Sequence, residues 1–141
     1  FEPFEAAGFE CRLVPVDHPP LVCYGLVIED RETGTTLSVS GDTSYGVPER
    51  SRDTLRDPDL LLVDGIVHAA FCEKHRLGGK HHDSNGVPRT FGTKHMTFEG
   101  ARAFAADLGA EEYRLVHVSH FAPPEEAFGE DLAVDGERFV L

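Results

Sequence analysis

The segment that most constrains this chain is Ser38-Val39-Ser40-Gly41-Asp42-Thr43, an apolar strand that stops on a glycine and an acid. Residues 21–28 (Leu-Val-Cys-Tyr-Gly-Leu-Val-Ile) read as a strand buried by composition, Arg31-Glu32-Thr33-Gly34 carries turn chemistry, and 35–40 return as the partner strand. The return strand leads directly into Asp42. In layered folds the ends of strands converge on one rim of the sheet, so a carboxylate there stands where sites are built.

The remaining elements follow from the same signals. Residues 10–16 read as a strand halted by Asp17-His18-Pro19-Pro20, because two prolines bar further ladder pairing. Pro48 opens a short polar helix over 48–56, closed by Asp57-Pro58-Asp59. Leu60-Leu61-Leu62-Val63-Asp64 has the length and composition of a buried parallel strand. Residues 68–94 are rich in Gly, His and Lys and are expected to form a long irregular loop. Met96 to Leu108 is the clearest helix. Thr97 can cap it, Glu99 suits its first turn, Phe98, Ala101, Ala105 and Leu108 share a face that Phe104 broadens, and Gly109 stops it. Residues 113–118 form another strand, and 131–141 are expected to close the chain as a hairpin around Asp135-Gly136. This alternation predicts one α/β domain over 1–141, layered in the α+β manner, with a mixed sheet and flanking helices.

Charge narrows the function. A formal net charge of −12 argues against a general binder of nucleic acid or of membrane surfaces. No apolar run approaches the ~20 residues of a membrane span. The positive charge comes mostly from arginine, since lysine occurs only at Lys74, Lys80 and Lys94. An acid-rich, lysine-poor surface suits a halophilic cytoplasm, where salt screens self-repulsion; an ordinary acidic protein from a GC-rich genome is the plainer alternative. Cys11, Cys23 and Cys72 are odd in number and widely spaced, which fits a reducing cytoplasm better than a disulfide framework.

Four residues with metal-ligating side chains sit at element ends: His18, Asp42, His95 and His117. Neutral imidazole suits zinc, manganese or iron, and a carboxylate can bridge two cations. Each has a plainer reading. Asp42 could cap a turn, His18 could be a loop residue, His95 could neighbour a helix N-terminus, and His117 could be a satisfied core histidine. His68, His75, His81 and His82, with Lys74, Arg76 and Lys80, read as a solvated loop, or else as a lid offering positive charge to an anion. Glu125, Glu126, Glu130 and Asp131 read as solvated surface.

Taken in order, Ser40-Gly41-Asp42-Thr43, then 60–64, then His95-Met96-Thr97-Phe98-Glu99-Gly100-Ala101, then Leu115-Val116-His117-Val118-Ser119-His120 resemble the metallo-β-lactamase superfamily. The branch they are most similar to is that of tRNase Z and the phosphoribosyl cyclic-phosphate phosphodiesterases. The resemblance implies part of an αββα sandwich and two divalent metal ions, zinc foremost, with manganese or iron as alternatives. It implies that Asp42 bridges the metals, that His18 binds the first and His117 the second, that His95 assists catalysis, and that Asp64 orients His95. Glu99-Gly100 stands where the family usually has Glu-Ala. The H-x-H-x-D-H motif is absent and the chain opens on Phe1, so the expectation is the C-terminal portion of the fold, with further ligands supplied by an N-terminal part. The implied reaction is hydrolysis of a phosphodiester by a metal-bound hydroxide. The implied partner is a small phosphodiester or similar anion; RNA is less favoured by the acidic surface, and no membrane is implied. Hydrolysis of an ester, lactone or thioester is the alternative reaction. A degenerate half serving as a binding module, free to pair into a homo-oligomer through open sheet edges, is the alternative to an enzyme.

Overall fold

The computed structural model describes residues 1–122, 129 and 131–141, so Glu125, Glu126 and Glu130 lie outside the described residues. Six strands form the main sheet: β1 (Pro3–Ala6), β2 (Phe9–Val16), β3 (Cys23–Glu29), β4 (Thr36–Val39), β5 (Leu60–Asp64) and, at its far edge, β9 (Tyr113–Val116). They lie in the order β1-β2-β3-β4-β5-β9. The first three pairings are antiparallel, and the pairings of β5 with β4 and with β9 are parallel. That switch follows from the connections. A tight turn at Asp30, where Gly34 donates to the Asp30 carbonyl at 2.7 Å, joins β3 to β4, whereas helices intervene before β5 and β9.

The helices are α1 (Glu49–Leu55), α2 (Ala69–Lys74) and α3 (Phe98–Asp107). Thr97 caps α3 as its sequence predicts, its hydroxyl accepting the Gly100 N–H at 2.9 Å, and Gly109 follows with φ +74°. Phe98, Ala101, Phe104, Ala105 and Leu108 are buried against Val14, Val27, Leu61, Val63 and Leu115 of the sheet. All the helix contacts with the main sheet made by α1 and α3 gather this one core, and α2 packs instead on α3 and on a small second sheet.

That second sheet corrects the expected loop. Residues 68–94 hold α2, β6 (Gly79–His82) and β7 (Pro88–Phe91), and β7 pairs on with β8 (His95–Met96). These elements are too short and polar to show a period; tertiary contacts hold them. The buried Thr90 hydroxyl accepts the Tyr45 N–H at 3.0 Å and lies 2.8 Å from His81 Nδ1. The expected hairpin over 131–141 is absent among the described residues: Leu132 forms an isolated parallel bridge with Leu115 instead. No helix among the described residues is long and apolar enough to cross a membrane.

Candidate metal centre

Four strand ends of the main sheet and one short strand of the second sheet deliver the five residues named from the sequence to one rim. After β4 the chain turns at Gly41 with φ +63°, where a Cβ would lie 2.4 Å from the Tyr24 carbonyl oxygen. Only glycine turns here so close to β3, and the next residue is Asp42. His18 follows β2, Asp64 ends β5, His95 opens β8, and His117 follows β9 with φ +67°, a left-handed conformation uncommon outside glycine, though histidine tolerates it better than most side chains.

The donor atoms of His18, Asp42 and His95 lie within 4.8 Å of one another, and so do those of Asp64, His95 and His117. The His95 ring contacts both other imidazoles edge-on, at 5.0 Å from His18 and 4.9 Å from His117. His117 Nδ1 lies 3.4 Å from Asp42 Oδ1. His18, Asp42, Asp64, His95 and His117 therefore form one cluster, which none of the plainer single-residue readings anticipates.

Asp64 organises it. Its side chain is almost fully buried, and it accepts three hydrogen bonds: from Thr43 N–H at 2.9 Å, from His95 Nδ1 at 3.0 Å and from His117 Nδ1 at 3.2 Å. A carboxylate acceptor fixes the proton of each imidazole on Nδ1 and leaves Nε2 to act outward. The family resemblance implies one histidine for Asp64 to orient; in the structure it bonds two. The Asp64 hydrogen bond, together with the Asp64 and Asp42 charges, raises the His117 imidazole above its ordinary value against the opposing effect of burial.

Residues without a predicted role complete the frame. Ser40 Oγ accepts the Asp64 N–H at 2.9 Å and donates to the Gly41 carbonyl at 2.7 Å, coupling the ends of β4 and β5. Thr43 Oγ1 accepts the Asp17 N–H at 3.1 Å, and the Ser44 hydroxyl donates to the Asp17 carboxylate, coupling the His18 loop to the Asp42 loop. Ser40 and Thr43 belong to the motif that flagged the site, but their partners are more than twenty residues away and invisible to local reading.

The donor set fits a cation. His18 is buried, and its Nδ1 has no hydrogen-bond partner among the described residues. An unpaired buried polar atom beside a carboxylate and a second imidazole is costly unless something binds it. Burial is graded across the cluster: His18 and Asp64 lie beneath, His95 is half-buried, and Asp42 and His117 are exposed. The two groupings that could hold an ion include none of His68, His75, His81 or His82. His75 stacks on Phe71 with ring centroids 5.4 Å apart, and His68 Nδ1 lies 3.4 Å from Glu99 Oε1.

Comparison with known proteins agrees with this geometry. Residues 1–118 match the family model described as the beta-lactamase superfamily domain. No curated protein matches the chain. Among solved structures, the metallo-beta-lactamase fold protein YhfI from Bacillus subtilis is 23% identical with a TM-score of 0.62, over 89% of this chain and 43% of that one. The short form of human tRNase Z is 20% identical with a TM-score of 0.62, over 83% of this chain and 39% of that one. A diphosphatase from the PhnP family is 24% identical with a TM-score of 0.63, over 96% of this chain and 44% of that one. The chain thus spans less than half the length of each of these structures.

Proposed function

Because the chain belongs to the metallo-β-lactamase superfamily, we propose that it carries one side of a dinuclear metal centre that hydrolyses a phosphodiester. The observation that carries this reading is the cluster itself: three imidazoles and two carboxylates from five separate chain segments, with a buried, unpartnered nitrogen on His18. Asp42 belongs to the grouping with His18 and lies 3.4 Å from His117 Nδ1, so in this reading it would be shared by the two ions, with His18 holding one and His117 the other. Two divalent cations supply charge neutralisation and a nucleophile usable at neutral pH. Zinc is the first candidate, since it favours imidazole and carboxylate donors; one structural neighbour is described as Zn(2+)-bound PqqB from Methylobacterium extorquens.

The chain's own groups divide the remaining work. Asp64 holds the His95 Nδ1 proton, so in its imidazolium form His95 would carry its second proton on Nε2 and would give it to the leaving oxygen or donate a hydrogen bond to the charge developing on the phosphoryl oxygens. Asp64 fixes the His117 ring in the same way. The phosphodiester assignment rests on the ordered motifs shared with the tRNase Z and cyclic-phosphate branch, and on neighbours that include a tRNase Z and a diphosphatase.

Two features support the proposal that residues outside this chain complete the centre. The H-x-H-x-D-H ligands have no counterpart here. In addition, the sheet face turned away from α1 and α3 is apolar and only partly covered: Leu26, Ile28, Leu37 and Val39 are half-buried, and Phe9 and Leu13 are exposed. A second layer packed there would form the sandwich.

Calorimetric titration of zinc or manganese into this chain is expected to give weak binding that Asp42→Asn removes. Two tight sites in this chain alone would contradict the shared-ligand reading. The longer protein is expected to cleave bis-p-nitrophenyl phosphate in preference to a panel of lactones and thioesters; the reverse preference would move the assignment to the carboxyl-ester class.

A further inference from the structure

The two groupings of donor atoms are held in different ways. Asp64, His95 and His117 are tied from within, because Asp64 accepts from both imidazoles. Among the described residues, His18, Asp42 and His95 share a ring contact but no hydrogen bond. Their arrangement is set from outside, by β7 of the small second sheet.

β7 grips two of the three arms. Its Phe91 pairs with His95 in the register of β7 with β8. Its Thr90 hydroxyl accepts the N–H of Tyr45, three residues beyond Asp42, at 3.0 Å. The third arm hangs on the second. Ser44 donates its N–H to the Asp17 carbonyl at 2.7 Å and its hydroxyl to the Asp17 carboxylate, and the next residue is His18. Thr90 and Ser44 are both fully buried. The Thr90 oxygen lies 2.8 Å from His81 Nδ1, so its proton can go to the imidazole while a lone pair takes the Tyr45 N–H. Gly46 marks a second contact between the small sheet and the His18 loop. A Cβ there would lie 2.9 Å from Asp17 Oδ2 and 3.2 Å from His81 Nε2. Removing the Thr90 oxygen leaves the Tyr45 N–H to find another acceptor, which frees residues 43–45, and the His18 loop with them, from β7.

We propose that Thr90 is a positioning residue for the grouping of His18, Asp42 and His95, and that the small second sheet is the brace that sets one ion's ligands while Asp64 sets the other's. This rests on the metal reading. It gives β6 and β7 a role that neither a solvated loop nor a charged lid supplies.

The first measurement needs no metal. With the chain in chelator, nuclear Overhauser contacts are recorded between the ring protons of His18 and His95, whose centroids lie 5.0 Å apart, and between those of His95 and His117, at 4.9 Å. Thr90→Val, which matches the side chain in size and lacks the oxygen, is expected to abolish the first contact and keep the second. Thr90→Ser is expected to restore the first. The second measurement is a zinc titration followed through the imidazole resonances. Thr90→Val is expected to move the His18 response to roughly tenfold higher zinc, the low end of the range for residues that orient metal ligands, and to leave the His117 response in place. An unchanged His18–His95 contact in Thr90→Val, equal loss of both contacts, or no recovery in Thr90→Ser overturns the proposal. Asp17→Ala cuts the same chain of bonds at a half-buried position and decides the question if Thr90→Val does not fold: selective loss of the His18–His95 contact supports the brace, and its persistence overturns it. A parent chain that binds no zinc would sink the metal reading, while the ring contacts would still decide this one.

Discussion

The two faces of the six-stranded sheet are built from the same alternating strands, yet they have different fates. On one face Val14, Val27, Leu61, Val63 and Leu115 are buried beneath α1 and α3. On the other, register places Leu13 opposite Leu26, and Pro15 opposite Tyr24, with Leu13 43% and Tyr24 50% exposed. Cys11 and Leu60 are buried there, and Leu141 of the C-terminal segment lines a cavity with Phe9, Ile28 and Leu37. Alternation in a strand fixes which residues share a face, whereas cover for that face must come from other segments. The rim that carries the cluster shows the same asymmetry, with buried ligands beneath and exposed ones above.

Leucine-to-alanine substitutions on the two faces measure the contrast, and they carry the largest expected effect. Leu61→Ala removes a fully buried side chain and should cost about 2–5 kcal/mol in urea or thermal unfolding. Leu13→Ala, on the open face, should cost less than about 1 kcal/mol in this chain. The comparison sharpens if the proposed second layer is supplied: once it covers the open face, Leu13→Ala should approach the cost of Leu61→Ala. Equal costs in this chain would mean that the open face is already closed.

Next in size is Asp64→Asn, at the end of the strand that carries Leu61. The amide cannot accept from Thr43 N–H and both imidazoles as the carboxylate does, and one NH₂ group must face a donor. The expected loss is about 1–3 kcal/mol of stability. Metal affinity should fall by roughly 10–100-fold, as for other residues that orient ligating histidines. A variant that keeps both stability and affinity would remove Asp64 from the centre.

Gly100→Ala tests how α3 packs against the small second sheet. Alanine favours a helix interior over glycine by about 1 kcal/mol, so sequence alone expects stabilisation. Here a Cβ would lie 1.9 Å from the Arg89 carbonyl oxygen, because β7 crosses α3 at this residue. The expected net effect is a loss of about 1–2 kcal/mol. The same contact accounts for Gly100 standing where the family usually has alanine. A stabilised variant would show that β7 moves away at little cost.

Legibility followed range. The strand of 60–64 and the capped helix beginning at Phe98 carry their signals locally, and the structure has them as Leu60–Asp64 and Phe98–Asp107. The five named residues were legible because each ends an element, and the fold gathers those ends into one cluster. What stayed hidden depends on distant partners. β1 (Pro-Phe-Glu-Ala) is exposed throughout and forms only through backbone pairing with β2. The small sheet depends on Thr90 meeting Tyr45, and the scaffold of the cluster on Ser40 meeting Asp64 and Thr43 meeting Asp17. The C-terminal hairpin looked local, yet Ala133 donates to the Leu115 carbonyl rather than to a hairpin partner.

The smallest expected effect concerns that C-terminal segment, which read as solvated surface at Asp131. Arg102 of α3 donates to Asp131 through Nε at 2.6 Å and Nη2 at 3.2 Å, a bidentate pair, while Leu115 N–H bonds the Asp131 carbonyl at 2.7 Å. The Arg102 hydrogen bonds and charge hold the Asp131 carboxyl below the usual carboxylate range, against the opposing effect of partial burial. A carboxyl depressed in the folded state stabilises fully above its unfolded value of about 3.9, and the contribution is lost as pH falls through the lower folded value. Both side chains are partly solvated, so the pair is worth less than about 1 kcal/mol near neutrality. Asp131→Asn should therefore lower the melting temperature slightly at pH 7, and the gap to the parent chain should close as the buffer is taken below about pH 4. A gap that widens on acidification would mean that Asp131 acts through its packing against the edge of the sheet rather than through its charge.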